Sequence, residues 1–232
     1  FGGIMITKVL SVGGSIVAPE KPDTAFLTAF SAMVKEWLEA DKERRLILVV
    51  GGGAPARIYQ TACREVFAGA ENNACDWIGI MATRLNAQLV KAIFGDLCRE
   101  DVVTNPSEAN EFTGRILLAA GWKPGFSTDN DAVLLAEKFN ADTVVNLSNI
   151  EKVYTDDPRK NPDAKPIDSI SWADFCAMVG EEWEPGKNCP FDPIASKKAR
   201  EMGLKVICAG GKNIANIRAI LDGSDFVGTI IG

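Results

Sequence analysis

The chain has 232 residues, of which 47% are hydrophobic, and this is enough to bury the core of a large α/β domain. Its formal net charge of −6 excludes a broad basic surface for nucleic acid, and its apolar runs are far shorter than the roughly 20 residues of a membrane-spanning helix. Histidine is absent, which excludes histidine-dependent catalytic triads. Reactions that depend on positioning and electrostatics, such as phosphoryl transfer, remain open.

Helical and strand-like patterns alternate along the chain. Apolar residues at three- and four-residue spacings predict a helix over 25–38, and the apolar run 46–50 predicts a buried strand before a helix over 56–67. The later predictions are a helix over 83–97, a strand over 116–120, a helix over 132–139, a strand over 143–147, a helix over 192–202, a strand over 204–208, a helix over 214–221 and a strand over 226–231. This alternation predicts an α/β fold, a three-layer αβα sandwich with a mainly parallel central sheet.

The ends, the loops and the cysteines suggest how the chain is organised. No secretory signal opens the sequence, so we expect a cytoplasmic protein, with residues 1–4 as a cloning remnant before Met5. The Pro-rich, charged stretch 156–166 is the clearest loop. We expect one domain over 5–232, with an N-terminal lobe at about 5–150 and a C-terminal lobe at about 151–232.

The six cysteines form no C-x-x-C pair, so neither zinc nor dithiol chemistry is predicted and the thiols are expected to be reduced.

Three glycine clusters end at Ser15, Arg57 and Asp129. The first follows a short apolar strand near the start of the chain, and the other two follow the predicted strands 46–50 and 116–120. Each alone is also consistent with a tight turn, and the third with a helix cap built from Ser127, Thr128 and Asp129. Glycine turns let backbone N–H groups approach an anion, a helix start adds a favourable dipole, and the Arg57 guanidinium can fork onto phosphate oxygens. Because ligands of parallel sheets gather at the carboxyl ends of the strands, the three clusters together favour a phosphate site.

Two other phosphate-binding designs fit the sequence less well. Gly51, Gly53 and Ala56 match the loose dinucleotide pattern G-x-G-x-x-A, with Asp76 as the acid expected further along. In a dinucleotide fold that acid ends a second buried strand, whereas residues 71–75 are too polar to form one. The sequence G-x-x-x-x-G-K-[ST] does not occur, which excludes P-loop kinases on that signature.

Five motifs resemble the amino-acid kinase family, over nearly the whole chain. They are V-G-G-G-A-P-A-R (50–57), D-W-I-G-I-M-A-T-R-L-N-A (76–87), G-W-K-P-G-F-S-T-D (121–129), N-I-E-K-V-Y-T-D-D-P (149–158) and F-D-P-I-A (191–195). The second motif is similar to the segment that selects UMP kinases within the family, and Gly14 followed by Ser15 is similar to the archaeal type. The resemblance implies phosphorylation of UMP to UDP by ATP in pyrimidine nucleotide biosynthesis, with Mg²⁺ as cofactor and a homohexameric assembly.

The resemblance also implies which residues bind the two nucleotides. UMP is expected at Gly52, Gly53, Arg57, Asp76, Gly121, Ser127 and Thr128, with Asp76 on the ribose hydroxyls. ATP is expected at Gly13, Gly14, Ser15, Asn149, Tyr154 and Asp157. The nucleotide phosphates and water would hold Mg²⁺, so no protein ligand to the metal is predicted.

The catalytic residues implied by the resemblance are Lys123, Asp192 and Asp129. Bacterial relatives usually carry a lysine in the first glycine loop, which this chain lacks, so Lys123 is the first candidate for the cation near the transferred phosphoryl group. Lys187 and Lys8 are the next candidates, and the alternative for each is a solvated surface lysine. Asp192 is expected to orient groups around the metal and the phosphates, and Asp129 either to cap a helix or to take part in catalysis.

Two other functions share this fold and remain open from the sequence. One is a kinase that phosphorylates a carboxylate, a carbamate or an isoprenoid phosphate, in which Asp76 would have no ribose to hold. The other is a nucleotide-binding storage protein for molybdate that uses ATP without making UDP. An assay of ADP release with and without UMP separates both from UMP phosphorylation.

Overall fold

The computed structural model describes residues 5–180 and 189–232. Its strands are β1 (Ile6–Val12), β2 (Arg44–Val50), β3 (Ile116–Ala119), β4 (Thr143–Ser148), β5 (Val153–Tyr154), β6 (Pro166–Ile167), β7 (Ser169–Ile170), β8 (Lys205–Gly210) and β9 (Thr229–Ile231). Its helices are α1 (Gly14–Val17), α2 (Thr24–Glu39), α3 (Gly53–Val66), α4 (Asn72–Phe94), α5 (Thr128–Lys138), α6 (Trp172–Val179), α7 (Pro193–Met202) and α8 (Ile214–Asp222). Within these two ranges, no helix is both long and apolar enough to cross a membrane.

Seven strands form one sheet in the order β3-β2-β1-β4-β8-β9-β7. The first five of these strands run parallel to their neighbours, with β1 between β2 and β4. Strand β9 is antiparallel to β8 and parallel to β7, while β5 and β6 form a separate antiparallel pair. This arrangement confirms the prediction of a mainly parallel sheet.

Apolar side chains cover both faces of the sheet. Alternate residues of a strand point to opposite faces, so Leu10 and Leu48 join a cluster with helices α2, α4 and α8. Their neighbours Val9 and Ile47 join a second cluster with helices α5, α6 and α7. Both faces of the central strands are therefore mainly apolar, as expected of a sheet buried between two helical layers.

The boundaries of four predicted elements are wrong, including that of α5, which begins at Thr128 rather than at 132, and α6 was not predicted at all. Helix α4 begins at Asn72, well before residue 83, because polar residues and Gly79 interrupt the apolar periodicity of its first turns. Helix α3 begins at Gly53 rather than at 56, since Pro55 is tolerated in a first turn. Strand β9 is shorter than 226–231 because the backbone N–H and C=O of Val227 bind the side chain of Asn216 at 2.8 Å each.

The turns after β1 and β2 contact each other backbone to backbone. A Cβ atom on Gly14 would lie 1.9 Å from the backbone N of Gly53, and one on Gly51 would lie 2.3 Å from the N of Gly14. Gly53 also has a φ of 65°, a conformation that favours glycine. No larger residue fits at these positions, so the two glycine clusters are needed to bring the two strand ends together.

Candidate active site

A cavity of about 380 Å³ opens at the carboxyl ends of the parallel strands, beside helices α3 and α4. Its lining includes nine residues that the sequence predicts for the site, namely Gly52, Gly53, Arg57, Asp76, Gly121, Lys123, Ser127, Thr128 and Asp192. The structure therefore brings together all the residues predicted for UMP and two of the three predicted catalytic residues. Their roles stay predictions.

The second glycine turn forms one wall of this cavity and is held from behind by Asn86. The Asn86 Nδ2 donates to the carbonyl oxygen of Gly51 over 2.8 Å and to that of Gly52 over 3.0 Å. Both carbonyls thus point away from the cavity. Helix α3 starts here without a side-chain cap. Within its first turn the Ala54 N–H donates to the carbonyl oxygen of Ala18 over 2.9 Å and Pro55 has no N–H, so the N–H groups of Gly52 and Gly53 are the ones left for an anion.

Arg57 extends from the second turn of α3 and is exposed to solvent. Its Nη2 donates to the carbonyl oxygen of Pro19 over 3.4 Å, which is at the long end of the range for a hydrogen bond. Such a weak contact leaves the guanidinium able to turn towards an anion at the start of α3.

Asp76 lies in α4, which confirms that it does not end a strand and disfavours the dinucleotide interpretation. Its Oδ2 accepts a hydrogen bond from the N–H of Gly125 over 3.3 Å. Asp76 therefore ties α4 to the third glycine loop across the cavity, and its carboxylate is a hydrogen-bond acceptor in the cavity lining.

Two further residues of α4 hold the third glycine loop, and sequence analysis assigned neither of them a role. The Thr83 Oγ1 accepts from the N–H of Gly121 over 2.8 Å, and the Arg84 guanidinium donates to the carbonyl oxygens of Gly121 and Trp122 over 3.1–3.3 Å. Their signal was their position in the 76–87 motif. The whole motif thus shapes the cavity, with Asp76 and Thr83 in the lining and Arg84 and Asn86 behind it.

Lys123 lies against two aromatic rings of its own loop. Its Nζ is 3.9 Å from the ring centroid of Trp122 and 4.8 Å from that of Phe126, distances at which a cation is attracted to a ring face. The loop thus holds an ammonium group at the edge of the cavity.

The structure supports neither of the two other lysines as the cation near the transferred phosphoryl group. Lys8 lies in β1, five residues before Gly13, or roughly 16 Å away at the rise of an extended strand. It is therefore on the wrong part of the strand to reach the cavity, and this alternative is wrong. Lys187 lies outside the described residues.

Asp129 does not cap α5, so that interpretation is wrong. The cap is Ser127, whose Oγ accepts from the N–H of Asn130 over 3.2 Å. The Asp129 carboxylate instead accepts from the Ser11 hydroxyl over 3.2 Å and from the N–H of Asp192 over 3.3 Å. Desolvation, and then the charge of Asp192, raise the pKa of Asp129 to about 6. Asp129 does not appear in the cavity lining and supports Asp192, which caps α7 and faces the cavity.

Asp131 is a buried carboxyl group that the sequence analysis missed. Its Oδ2 accepts from the N–H of Trp122 over 3.2 Å, while its buried Oδ1 has no hydrogen-bond partner among the described residues. Desolvation, and to a lesser extent the charge of Asp129, raise the pKa of Asp131 to about 7. The loop that carries Lys123 is thus anchored to an acid that titrates near neutral pH.

The residues predicted for ATP lie outside the cavity lining. Gly13 and Gly14 follow β1, and Asn149 follows the neighbouring strand β4, so these residues share one edge of the sheet. Tyr154 is half-buried in the β5 strand. Asp157 forms an ion pair with Arg159 at 3.0 Å. Their contact with ATP stays a prediction.

Comparisons with known proteins agree with this geometry. The amino acid kinase family model matches residues 7–210. A curated uridylate kinase of Methanospirillum hungatei is 35% identical over 236 residues, covering 98% of this chain and 95% of the relative, and one of Pyrococcus abyssi is 34% identical over 93% of this chain and 95% of the relative. The crystal structure of uridylate kinase from Archaeoglobus fulgidus superposes with a TM-score of 0.83 at 32% identity, covering 98% of this chain and all of that chain. That of UMP kinase from Bacillus anthracis, with a TM-score of 0.77 at 19% identity, shows the same fold.

Replacing Asp131 with Asn should stabilise the protein above neutral pH. The raised pKa means that the folded state binds this proton more tightly than the unfolded chain does, so the penalty on stability grows as pH rises from about 4 to about 7. Asp131→Asn should raise the free energy of unfolding at pH 8 by on the order of 1–2 kcal/mol, with the gain fading towards pH 4. Urea unfolding across this range measures it, with the exposed Asp142→Asn as the matched control. The same pH dependence in Asp131→Asn and wild type would contradict the pKa assignment.

Proposed function

The chain belongs to the amino acid kinase family, and from this we propose that it phosphorylates UMP, transferring the γ-phosphoryl group of ATP to form UDP. The observation that carries the proposal is the content of a single cavity. The cavity contains the start of helix α3 and Arg57, which suit a phosphate. It also contains the Asp76 carboxylate, which suits sugar hydroxyl groups. A nucleoside monophosphate presents both of these groups.

The acceptor phosphate is placed by this proposal at the start of α3. Backbone N–H groups near Gly52 and Gly53 would donate to its oxygens, and Arg57 would add a charge-assisted fork. The Asp76 carboxylate would accept from the ribose hydroxyls. The third glycine loop, with Phe126 at its end, would then cover the uracil side.

ATP is placed at the neighbouring strand ends. Strands β1 and β4 are adjacent and parallel, so the turn at Gly13, Gly14 and Ser15 and the residue Asn149 lie at the same edge of the sheet. Tyr154 and Asp157 follow Asn149 along the chain and would flank the adenosine. The donor and acceptor phosphates would then meet above the contact between the first two glycine turns.

The transfer itself needs no general base in this proposal. A phosphate monoester is ionised and nucleophilic at neutral pH, so catalysis consists of in-line positioning and of neutralising charge on the transferred group. Lys123 would supply a positive charge, and the N–H groups of Gly52 and Gly53 at the start of α3 would supply donors.

We further propose that Mg²⁺ enters with ATP. The fit is supported by the Asp192 carboxylate in the cavity lining, since Mg²⁺ retains several waters and these need hydrogen-bond acceptors. When bound, the ion would neutralise charge on the phosphates. Asp192 would accept hydrogen bonds from its water ligands, with Asp129 holding the backbone of Asp192 in place. Loss of activity with a chelator, restored by added Mg²⁺, tests this step.

The two alternative functions of the fold are not favoured. The named relatives are uridylate kinases, and the two reported above cover more than nine-tenths of the chain. Asp76 also lines the cavity, where an acceptor without a sugar would offer no hydroxyl groups to its carboxylate.

A homohexamer in the cytoplasm, acting in pyrimidine nucleotide synthesis, remains the finer part of the proposal. Exposed apolar side chains on the α3–α4 pair support self-association, and they include Ile58, Tyr59, Phe67, Met81 and Leu85. A molar mass of one chain by light scattering would contradict the assembly.

The proposal is tested by measuring ADP release from ATP with UMP, CMP, GMP and AMP as acceptors. We expect release with UMP. Arg57→Ala should raise the KM for UMP by roughly 10- to 150-fold, the loss of a charge-assisted contact worth about 1.5–3 kcal/mol, with little change in the KM for ATP. Arg64→Ala is the matched control, because Arg64 is exposed on the same helix outside the cavity lining. No UMP-dependent release would contradict the function, and an unchanged KM for UMP in Arg57→Ala would contradict the acceptor site.

Replacing Lys123 with Met tests the cation. Methionine keeps an apolar chain against the rings of Trp122 and Phe126 while removing the charge. If Lys123 stabilises the transferred group, kcat should fall roughly 10²- to 10³-fold with little change in either KM. Lys35→Met, at an exposed position of α2, is the control. A kcat close to that of wild type would leave Lys123 as a solvated loop residue.

A further inference from the structure

Gln60 lines the cavity but has no role in the function proposed so far. It lies in α3 one turn after Arg57, so the two side chains project from neighbouring positions on the same helical face. One turn rises about 5.4 Å, which is of the order of the separation between a 5′-phosphate and the sugar hydroxyls of one nucleotide. A phosphate at Arg57 would therefore bring the sugar close to Gln60.

The carboxamide of Gln60 is held in a defined orientation. Its Nε2 donates to the carbonyl oxygen of Cys75 over 2.8 Å. Because a carbonyl can only accept, the atom facing it must be the nitrogen, which fixes the amide flip. Gly79 makes room for this arrangement, since a Cβ there would lie 2.6 Å from the Gln60 Nε2.

The oxygen of the same carboxamide is left as a hydrogen-bond acceptor. Cys75 directly precedes Asp76, so the Gln60 amide lies beside the Asp76 backbone. The Oδ2 atom of the Asp76 carboxylate accepts a hydrogen bond from the Gly125 N–H. Gln60 and Asp76 both line the cavity, which therefore offers two acceptors on its α3–α4 side, a carboxylate and an amide oxygen. A ribose, with two adjacent hydroxyl donors, has the complementary chemistry.

We propose that Gln60 recognises the sugar of the acceptor nucleotide, with its Oε1 accepting from one ribose hydroxyl while Asp76 accepts from the other. This inference rests on the proposed function. A deoxyribose nucleotide would leave one of the two acceptors without a donor, and a site built to bind a hydroxyl discriminates against an analogue that lacks it. Gln60 is thus a residue that determines specificity for the sugar, and its hydrogen bond to Cys75 also links α3 to α4.

The experiment measures kcat/KM for UMP, 2′-deoxy-UMP and 3′-deoxy-UMP in the wild type, two variants of Gln60 and a control variant. Gln60→Met is close in shape and removes both the donor and the acceptor. Gln60→Glu loses the donor to Cys75 but keeps an oxygen acceptor. Both variants lose the tie between α3 and α4, so thermal unfolding should show a similar drop in Tm. Gln88→Met, at an exposed position of α4, is the control.

We expect Gln60→Met to narrow the preference for UMP over one of the two deoxy analogues by about 3- to 10-fold, the scale of one neutral hydrogen bond, through KM rather than kcat. Gln60→Glu should retain more of that preference than Gln60→Met. If Gln60→Met lowers kcat/KM equally for UMP and for both analogues, the residue has a structural role and the inference is overturned. An active wild-type enzyme with no preference for UMP over either analogue overturns it as well. Absence of UMP phosphorylation in wild type would overturn the proposed function, and this inference with it.

Discussion

The backbone contact between the turns after β1 and β2 is the constraint on which the rest of the site depends. Gly14 and Gly51 approach so closely that a side chain on either would overlap the other turn, and Gly53 adopts a backbone conformation that favours glycine. The contact places the end of β1, where ATP is proposed, directly against the start of α3, where UMP is proposed. Phosphoryl transfer requires two phosphates to meet in line, and this contact fixes the distance between their supports.

Helix α4 gives the remainder of the cavity its shape. Asn86 holds the carbonyls of the second glycine turn, while Thr83 and Arg84 hold the third glycine loop, so one helix positions two of the three loops. Beneath the third loop, the buried Asp131 accepts from the Trp122 N–H. Burying this carboxyl group lowers the stability of the folded protein at neutral pH. The same group nevertheless anchors the segment that carries Lys123. The third glycine loop is thus supported from both sides.

The sequence predicted those parts of the site that depend on residues close together along the chain. Glycine turns after apolar strands and Arg57 one turn later are visible as patterns, and their meeting at one edge follows from a parallel sheet. The role of Gln60 was not visible, because it depends on a hydrogen bond to Cys75 across two helices. Asp131 was missed since nothing in its neighbours reveals that its side chain is buried. Lys8 was a wrong candidate for a geometric reason, because its distance along β1 excludes it.

A crystal structure of the protein with UMP bound is the most direct test of the central claim, that the helix start at Gly53 and the α3–α4 pair form one acceptor site. The account predicts the phosphate at the first turn of α3 within hydrogen-bond distance of Arg57, and the ribose between Asp76 and Gln60. UMP bound at the ends of β1 and β4, or with its phosphate towards Asp76, would contradict it.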